Sequence, residues 1–308
     1  MSNDPARTLK PTVEQAPHLL REWFDHYVDR FRAPDGSLPP ALELKYRHSL
    51  RVAADARAVA KAAGWPSPRI RLAEACGLVH DVGRFAQYAD HGSFNDADTL
   101  DHGAAGRKLL ENEGLPEHFG PALWPQVACA VAYHNRGTAD IPPGIDGPTA
   151  DLLGLIRDAD KLDIMDLVLR SVARDGFSDL PDMLPHIRLD RAVTPDVLTQ
   201  ALSTRSVAIG TLHTLSDFLV MIATWFHDFN NRAARQMAVE RGIVQRLRQV
   251  LPDSPALGRL FQAITTSADP PDGMQGAAEC EQDDDNAPHP CTPKETACRL
   301  NTRPMPPR

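Results

Sequence analysis

Apolar residues recur at a spacing near 3.6 from about Val13 to about Gln262, interrupted by glycine and proline, and no run of alternating β-branched residues stands among them. That period makes one side of each segment apolar, so it predicts an all-α architecture. The predicted helices span about 14–31, 41–64, 69–82, 101–113, 121–135, 148–173, 195–202 and 210–250. From Thr266 the chain reads TSADPPDGMQGAAECEQDDDNAPHP and onward, with no apolar face to bury. Such a segment cannot offset its ordering entropy, so residues 266–308 are expected to be a disordered tail behind a single helical domain over 1–265.

Several polar residues interrupt the apolar stripes, and burial of such groups demands partners. His48 shares a stripe with Leu44, Val52 and Val59. Alone it reads as a core histidine bonded to a carbonyl; its company changes that reading. In RLAEACGLVHDVGRF, Ala73, Cys76 and Gly77 precede His80 by seven, four and three residues, and Asp81 follows directly. With Val82 and Gly83 ending the helix, Asp81 falls in its last turn, where the negative helix end opposes a bare carboxylate and a cation would relieve it. Asp160 lies on the stripe of Leu153, Ile156, Ile164 and Leu167, a carboxylate in mid-core, whereas Asp158 and Asp163 fall off that stripe and are expected to face solvent. His134 stands in front of Val127, Ala130 and Val131, and His102 behind Ala105, Gly106 and Leu109. His227-Asp228 repeats the dipeptide without the flanking pattern, so the dipeptide by itself says little.

The order His48, His80-Asp81, Asp160 resembles the HD-domain superfamily, whose signature is H…HD…D on helices of one bundle. LVHDVGRF is similar to the second motif of that family and RDADKLD to its last, while DHGAAG and AYHN look like the added histidine motifs of dinuclear members. The likeness covers about 41–173 and continues more loosely to about 260. It implies an HD-domain helical bundle in which His48, His80, Asp81 and Asp160 hold one metal, with Asp81 bridging to a second held by His102 and His134. Imidazoles and carboxylates without thiolate suit manganese, iron, cobalt, nickel or zinc, and so sparse a set leaves positions for water, whether one ion binds or two. Water activation beside a phosphate then makes phosphoester hydrolysis the natural reaction. Arg84 and Lys161, each close to a ligand, can neutralise phosphate oxygens or serve as ordinary salt-bridge cations; with Asp81 they are the candidate catalytic residues. Tyr133 and Asn135 flank His134 without an assigned role.

Charge narrows the substrate. With 33 basic against 41 acidic residues the net charge is −8, which disfavours long nucleic acids and leaves a small nucleotide or phosphorylated metabolite. The longest apolar run, Phe218 to Phe226, is about half a membrane span, so neither membrane insertion nor secretion is expected, and a cytoplasmic location follows. Five cysteines without paired spacing point to reduced thiols rather than disulfides. The leading expectation is a metal-dependent phosphohydrolase. Two alternatives stay open: a mixed-valent di-iron oxygenase, since some HD-domain relatives activate oxygen with much the same ligands, and a non-enzymatic metal- or ligand-binding regulatory module. Phosphate release, oxygen consumption, or neither, would separate them. Oligomeric state is not encoded in these patterns.

Overall fold

A computed structural model describes residues 16–178 and 186–266, and among these it is helical throughout, with one isolated bridge between Arg188 and Thr214 in place of any strand. The tail expected to be disordered lies outside these residues except for Thr266, which closes the last helix. The helices are α1 (Ala16–Asp29), α2 (Pro40–Ala62), α3 (Ser67–Val79), α4 (Gly83–His91), α5 (His102–Asn112), α6 (Leu115–Tyr133), α7 (Gly147–Asp175), α8 (Pro195–Ser203), α9 (Leu215–Thr224), α10 (Arg232–Glu240), α11 (Ile243–Val250) and α12 (Pro255–Thr266). None is long and apolar enough to cross a membrane.

Side-chain periodicity sets the packing. The stripe of Val52, Ala56, Val59 and Ala60 on α2 meets Leu72, Ala73, Cys76 and Val79 on α3, and α2 also packs on α7; α6 packs on α5 and α7. Helix α7 therefore stands between two layers, and α10 and α11 cover it from a third side. Its start is fixed by Asp146, whose side chain accepts from the Thr149 N–H at 2.8 Å, and its end by Gly176 in the left-handed conformation.

The structure corrects the helix boundaries at three places. Gly83 does not stop a helix: after a turn through His80–Val82 the chain re-enters one as α4. Asp81 thus precedes the positive N-terminal end of α4 as well as following α3, so helix-end repulsion is not what sets its environment. The predicted 210–250 helix is broken into α9, a 3-10 turn over Trp225–His227, α10 and α11. Asp158 makes the break: the backbone N–H groups of Asn230 and Asn231 and both their side-chain amides donate to its carboxylate at 2.7–3.0 Å. Far from facing solvent, Asp158 is fully buried, and burial raises its pKa against the opposing Lys161 charge and asparagine donors. Helix α12 is a further addition to the predicted set.

Two close helix approaches need glycine. A Cβ on Gly77 would lie 3.0 Å from the Val52 carbonyl oxygen, and one on Gly83 only 2.2 Å from that of His102. These contacts draw α3 onto α2 and the start of α4 onto α5, which is what brings His80 towards His48 and Asp81 towards His102. The Gly83→Ala substitution must force backbone from backbone, at a cost of about 1–3 kcal/mol. Thermal unfolding followed by circular dichroism should show a melting temperature lower by several degrees; an unchanged value would mean that α4 and α5 can separate freely.

Candidate metal centre

Six side chains converge from five elements: His48 from α2, His80 and Asp81 from the α3–α4 turn, His102 at the first residue of α5, His134 at the end of α6, and Asp160 from α7. All four histidines are almost wholly buried. Each has its Nδ1 beside an oxygen: His48 at 2.7 Å from Asp163 Oδ2, His80 at 2.7 Å from the Gly77 carbonyl, His102 at 2.6 Å from Asp96 Oδ2, and His134 at 2.9 Å from the Val131 carbonyl. Carbonyls and carboxylates only accept, so each Nδ1 carries the proton and donates. A neutral ring in that tautomer turns a lone pair outward at Nε2, the form in which imidazole ligates metals.

The four Nε2 atoms divide around Asp81. Its Oδ2 lies 3.6 Å from His48 Nε2 and 3.8 Å from His80 Nε2, and both of those nitrogens approach Asp160 Oδ1, at 3.1 and 3.8 Å. Its Oδ1 lies 3.2 Å from His102 Nε2 and 3.5 Å from His134 Nε2. His48, His80 and Asp81 form one set of donor atoms within 4.8 Å of one another, and Asp81, His102 and His134 form a second.

This arrangement fits a cation chemically. His48 Nε2, His80 Nε2 and Asp160 Oδ1 are buried without a hydrogen-bond partner, and three such orphans at one point are costly unless something positive stands between them. On the other side, His102 and His134 bring their Nε2 atoms to 3.1 Å with both Nδ1 protons already committed, so two lone pairs face each other. The donor set is hard and imidazole-rich, with no thiolate. The only cysteines among the described residues, Cys76 and Cys129, are free thiols, and the three tail cysteines lie outside those residues.

Electrostatics favour ionised carboxylates. Burial pushes the Asp81 pKa up, but the Lys45 ammonium and the imidazoles of His80, His102 and His134 hold it well below the carboxylate range. Burial is likewise overcome at Asp160 by His48 and His80. His48 in turn is raised, because Asp160 and Asp163 outweigh its own burial. Asp160 is not sunk in mid-core as its stripe suggests: its side chain is 20 % exposed, against 4 % for Asp81, so the centre opens on the Asp160 side.

Arg84 lies beside the centre, with Nε 3.6 Å from Asp81 Oδ1 and Nη1 donating to Asp96 Oδ1 at 2.7 Å and Gln87 Oε1 at 2.9 Å. The structure does not bring Lys161 to this cluster; its Nζ donates to the Asp228 backbone oxygen and pairs with Asp228 Oδ2 at 2.6 Å. Asn135 gains a role, donating to Asp96 and Asp101 at 3.0 Å each and so tying the end of α6 to the start of α5. Asp163, expected at the surface, is buried and accepts from His48 and from Arg51. Three residues escaped the sequence reading. Lys45, with Nζ 2.8 Å from Asp81 Oδ2, was signalled only by its place three residues before His48 on the same face. Asp163 shows the same i, i+3 relation to Asp160. Asp96 sits in an irregular stretch that has no period to reveal it.

An all-helical bundle with a buried histidine–carboxylate cluster between its layers defines a class of protein able to hold metal at its core. The HD domain family model matches residues 46–165, the segment that carries all six clustered residues. That family consists mostly of metal-dependent phosphohydrolases. Neither a curated protein nor a solved structure matches the chain significantly.

Asp163→Ala tests the support behind His48. Removing the carboxylate leaves the His48 Nδ1 proton and the Arg51 guanidinium without their acceptor, and loss of such an orienting partner costs about 10–100-fold in metal affinity. Competition with a chromophoric chelator should show that loss with the helical spectrum retained; unchanged affinity would remove Asp163 from the centre.

Proposed function

We propose that this protein is a metal-dependent phosphohydrolase acting on a small phosphorylated substrate, with His48, His80, Asp81 and Asp160 holding one divalent ion and Asp81, His102 and His134 a second. The observation that carries this reading is the split orientation of Asp81, whose two oxygens address two different pairs of imidazoles. A carboxylate used by one ion has no reason to present its other oxygen to two further ring nitrogens. The ions would be manganese, iron, cobalt, nickel or zinc by donor type. Divalent ions in such a pair supply water activation near neutral pH and stabilisation of the charge on the phosphoryl oxygens.

The chain supplies the rest. Asp163 and Asp96 hold the rings of His48 and His102 in the ligating tautomer and orientation. Lys45 rests on Asp81 Oδ2, the oxygen that the first ion would take. Lys45 Nζ also lies over the Phe94 ring at 5.5 Å, and with a divalent ion held by Asp81 its ammonium would be free to meet a phosphate oxygen. Arg84, anchored by Asp96 and Gln87, offers a second positive charge at the Oδ1 side of Asp81. Lys161, paired with Asp228, serves as an anchor between α7 and the 225–231 turn rather than as a substrate contact. Water and substrate enter past the exposed edge of Asp160.

Metal analysis followed by a screen of small phosphate esters with added manganese or cobalt tests the reading. Two metals per chain are expected, falling to one in His102→Ala, and Asp81→Asn should lose metal together with at least about a 100-fold reduction in phosphate release. Stoichiometry that never exceeds one metal would remove the second site. Substrate-dependent oxygen consumption without phosphate release would overturn the hydrolase reading in favour of an oxygenase.

A further inference from the structure

A polar cavity lies away from the metal centre. It has a volume of about 820 Å³, and none of the six clustered histidines and aspartates lines it. Its walls come from α7, from the segment after α8 and from the 225–229 turn, including Arg157, Arg205, Ser206, Trp225, Asp228 and Phe229. That volume suits a ligand of nucleotide size.

The telling residue is Arg157. Its side chain is only 8 % exposed, yet its Nε has no hydrogen-bond partner, and its nearest anion is Asp228, whose Oδ2 is 3.4 Å from Nη2. That contact is longer than a good hydrogen bond, because the same oxygen is already taken by Lys161 at 2.6 Å. A buried guanidinium with donors to spare is costly to keep, and it faces a cavity large enough to hold what would satisfy it. Asp228 does not cancel the charge, since it is matched by Lys161 and is half exposed. Arg205 adds a second guanidinium from a left-handed backbone position, φ 56°, unusual for a residue other than glycine. The local potential is positive: His227 is held below its ordinary pKa by burial and by the charges of Arg205 and Arg235.

We propose that this cavity is a binding site for the phosphate group of a small phosphorylated ligand, held between Arg157 and Arg205, with Trp225 and Phe229 as an apolar wall for the remainder. Two guanidiniums suit an oxyanion carrying two charges, since each can meet a pair of its oxygens through a planar fork. The site is independent of the metal centre. Arg157 shares α7 with Asp160 but projects to the 225–231 side, where α7 also presents Asp158 and Lys161.

Inorganic pyrophosphate, titrated calorimetrically into full-length protein stripped of metal by chelation, tests the proposal without relying on the hydrolase reading. Saturable binding is expected, weakened about tenfold or more in Arg157→Met and in Arg205→Gly, and retained in Asp81→Asn. Arg205→Gly removes the charge while relieving the backbone, so lost binding there cannot come from a damaged fold. Absence of saturable binding to the stripped wild-type protein would overturn the proposal. So would binding that survives both arginine substitutions, or that disappears in Asp81→Asn, which would assign the anion to the metal centre. Tighter binding of succinate than of pyrophosphate would overturn the phosphate class.

Discussion

A buried carboxylate can stay ionised only if positive charge or donors surround it, and at Asp81 that condition organises the bundle. Its two oxygens reach Lys45 on α2, His80 beside it, His102 on α5 and His134 at the end of α6, so four elements must meet at one point. Helices meet that closely only where side chains are small. Gly77 lets α3 settle on α2, and Gly83 lets the His80–Val82 turn lie against the first turn of α5. Residues that look like helix breakers in the sequence are therefore the ones that bring the centre together.

His48, His80, His134 and Asp160 were legible because a group that meets others in the core must lie on the stripe that packs there, and the 3.6-residue period marks that stripe, whereas Asp81 and His102 joined them through the resemblance to HD-domain motifs. The same reasoning failed on α7 for a definable reason. It assumes one face of a helix for the core and another for solvent, whereas α7 is packed by α2, α6, α10 and α11 together. Asp158 and Asp163 lie off the Asp160 stripe and are nonetheless buried, each against a different neighbour. A helix enclosed on all sides has no polar face to identify. The break in the predicted 210–250 helix was hidden for a related reason: WFHDFNN contains neither glycine nor proline, and what ends the helix is a hydrogen-bonding partner about seventy residues earlier in the chain.

The two faces of α7 carry different kinds of polar chemistry. Towards α2 and α6, Asp160 and Asp163 meet imidazoles whose outward lone pairs call for a cation. Towards the 225–231 turn, Arg157, Lys161 and Asp158 meet Asp228 and two asparagines, and here the unsatisfied group is a guanidinium, which calls for an anion. One helix thus carries unsatisfied groups of opposite kind on two of its faces.

The repeated His-Asp dipeptide shows how far burial, rather than residue type, decides function. Asp81 is 4 % exposed and Asp228 47 %. The pair of half-exposed Asp228 with the buried Lys161 is partly screened by water and contributes about 1 kcal/mol, enough to pin a turn to a helix. Asp81 has no such screening, so the cation nearest to it, Lys45, is held by a strong local attraction that only a group of higher charge can replace. Lys45 thereby sits at one oxygen of Asp81, where a divalent ion would compete with it, while the Arg84 guanidinium stands 3.6 Å from the other oxygen, the one that faces His102 and His134.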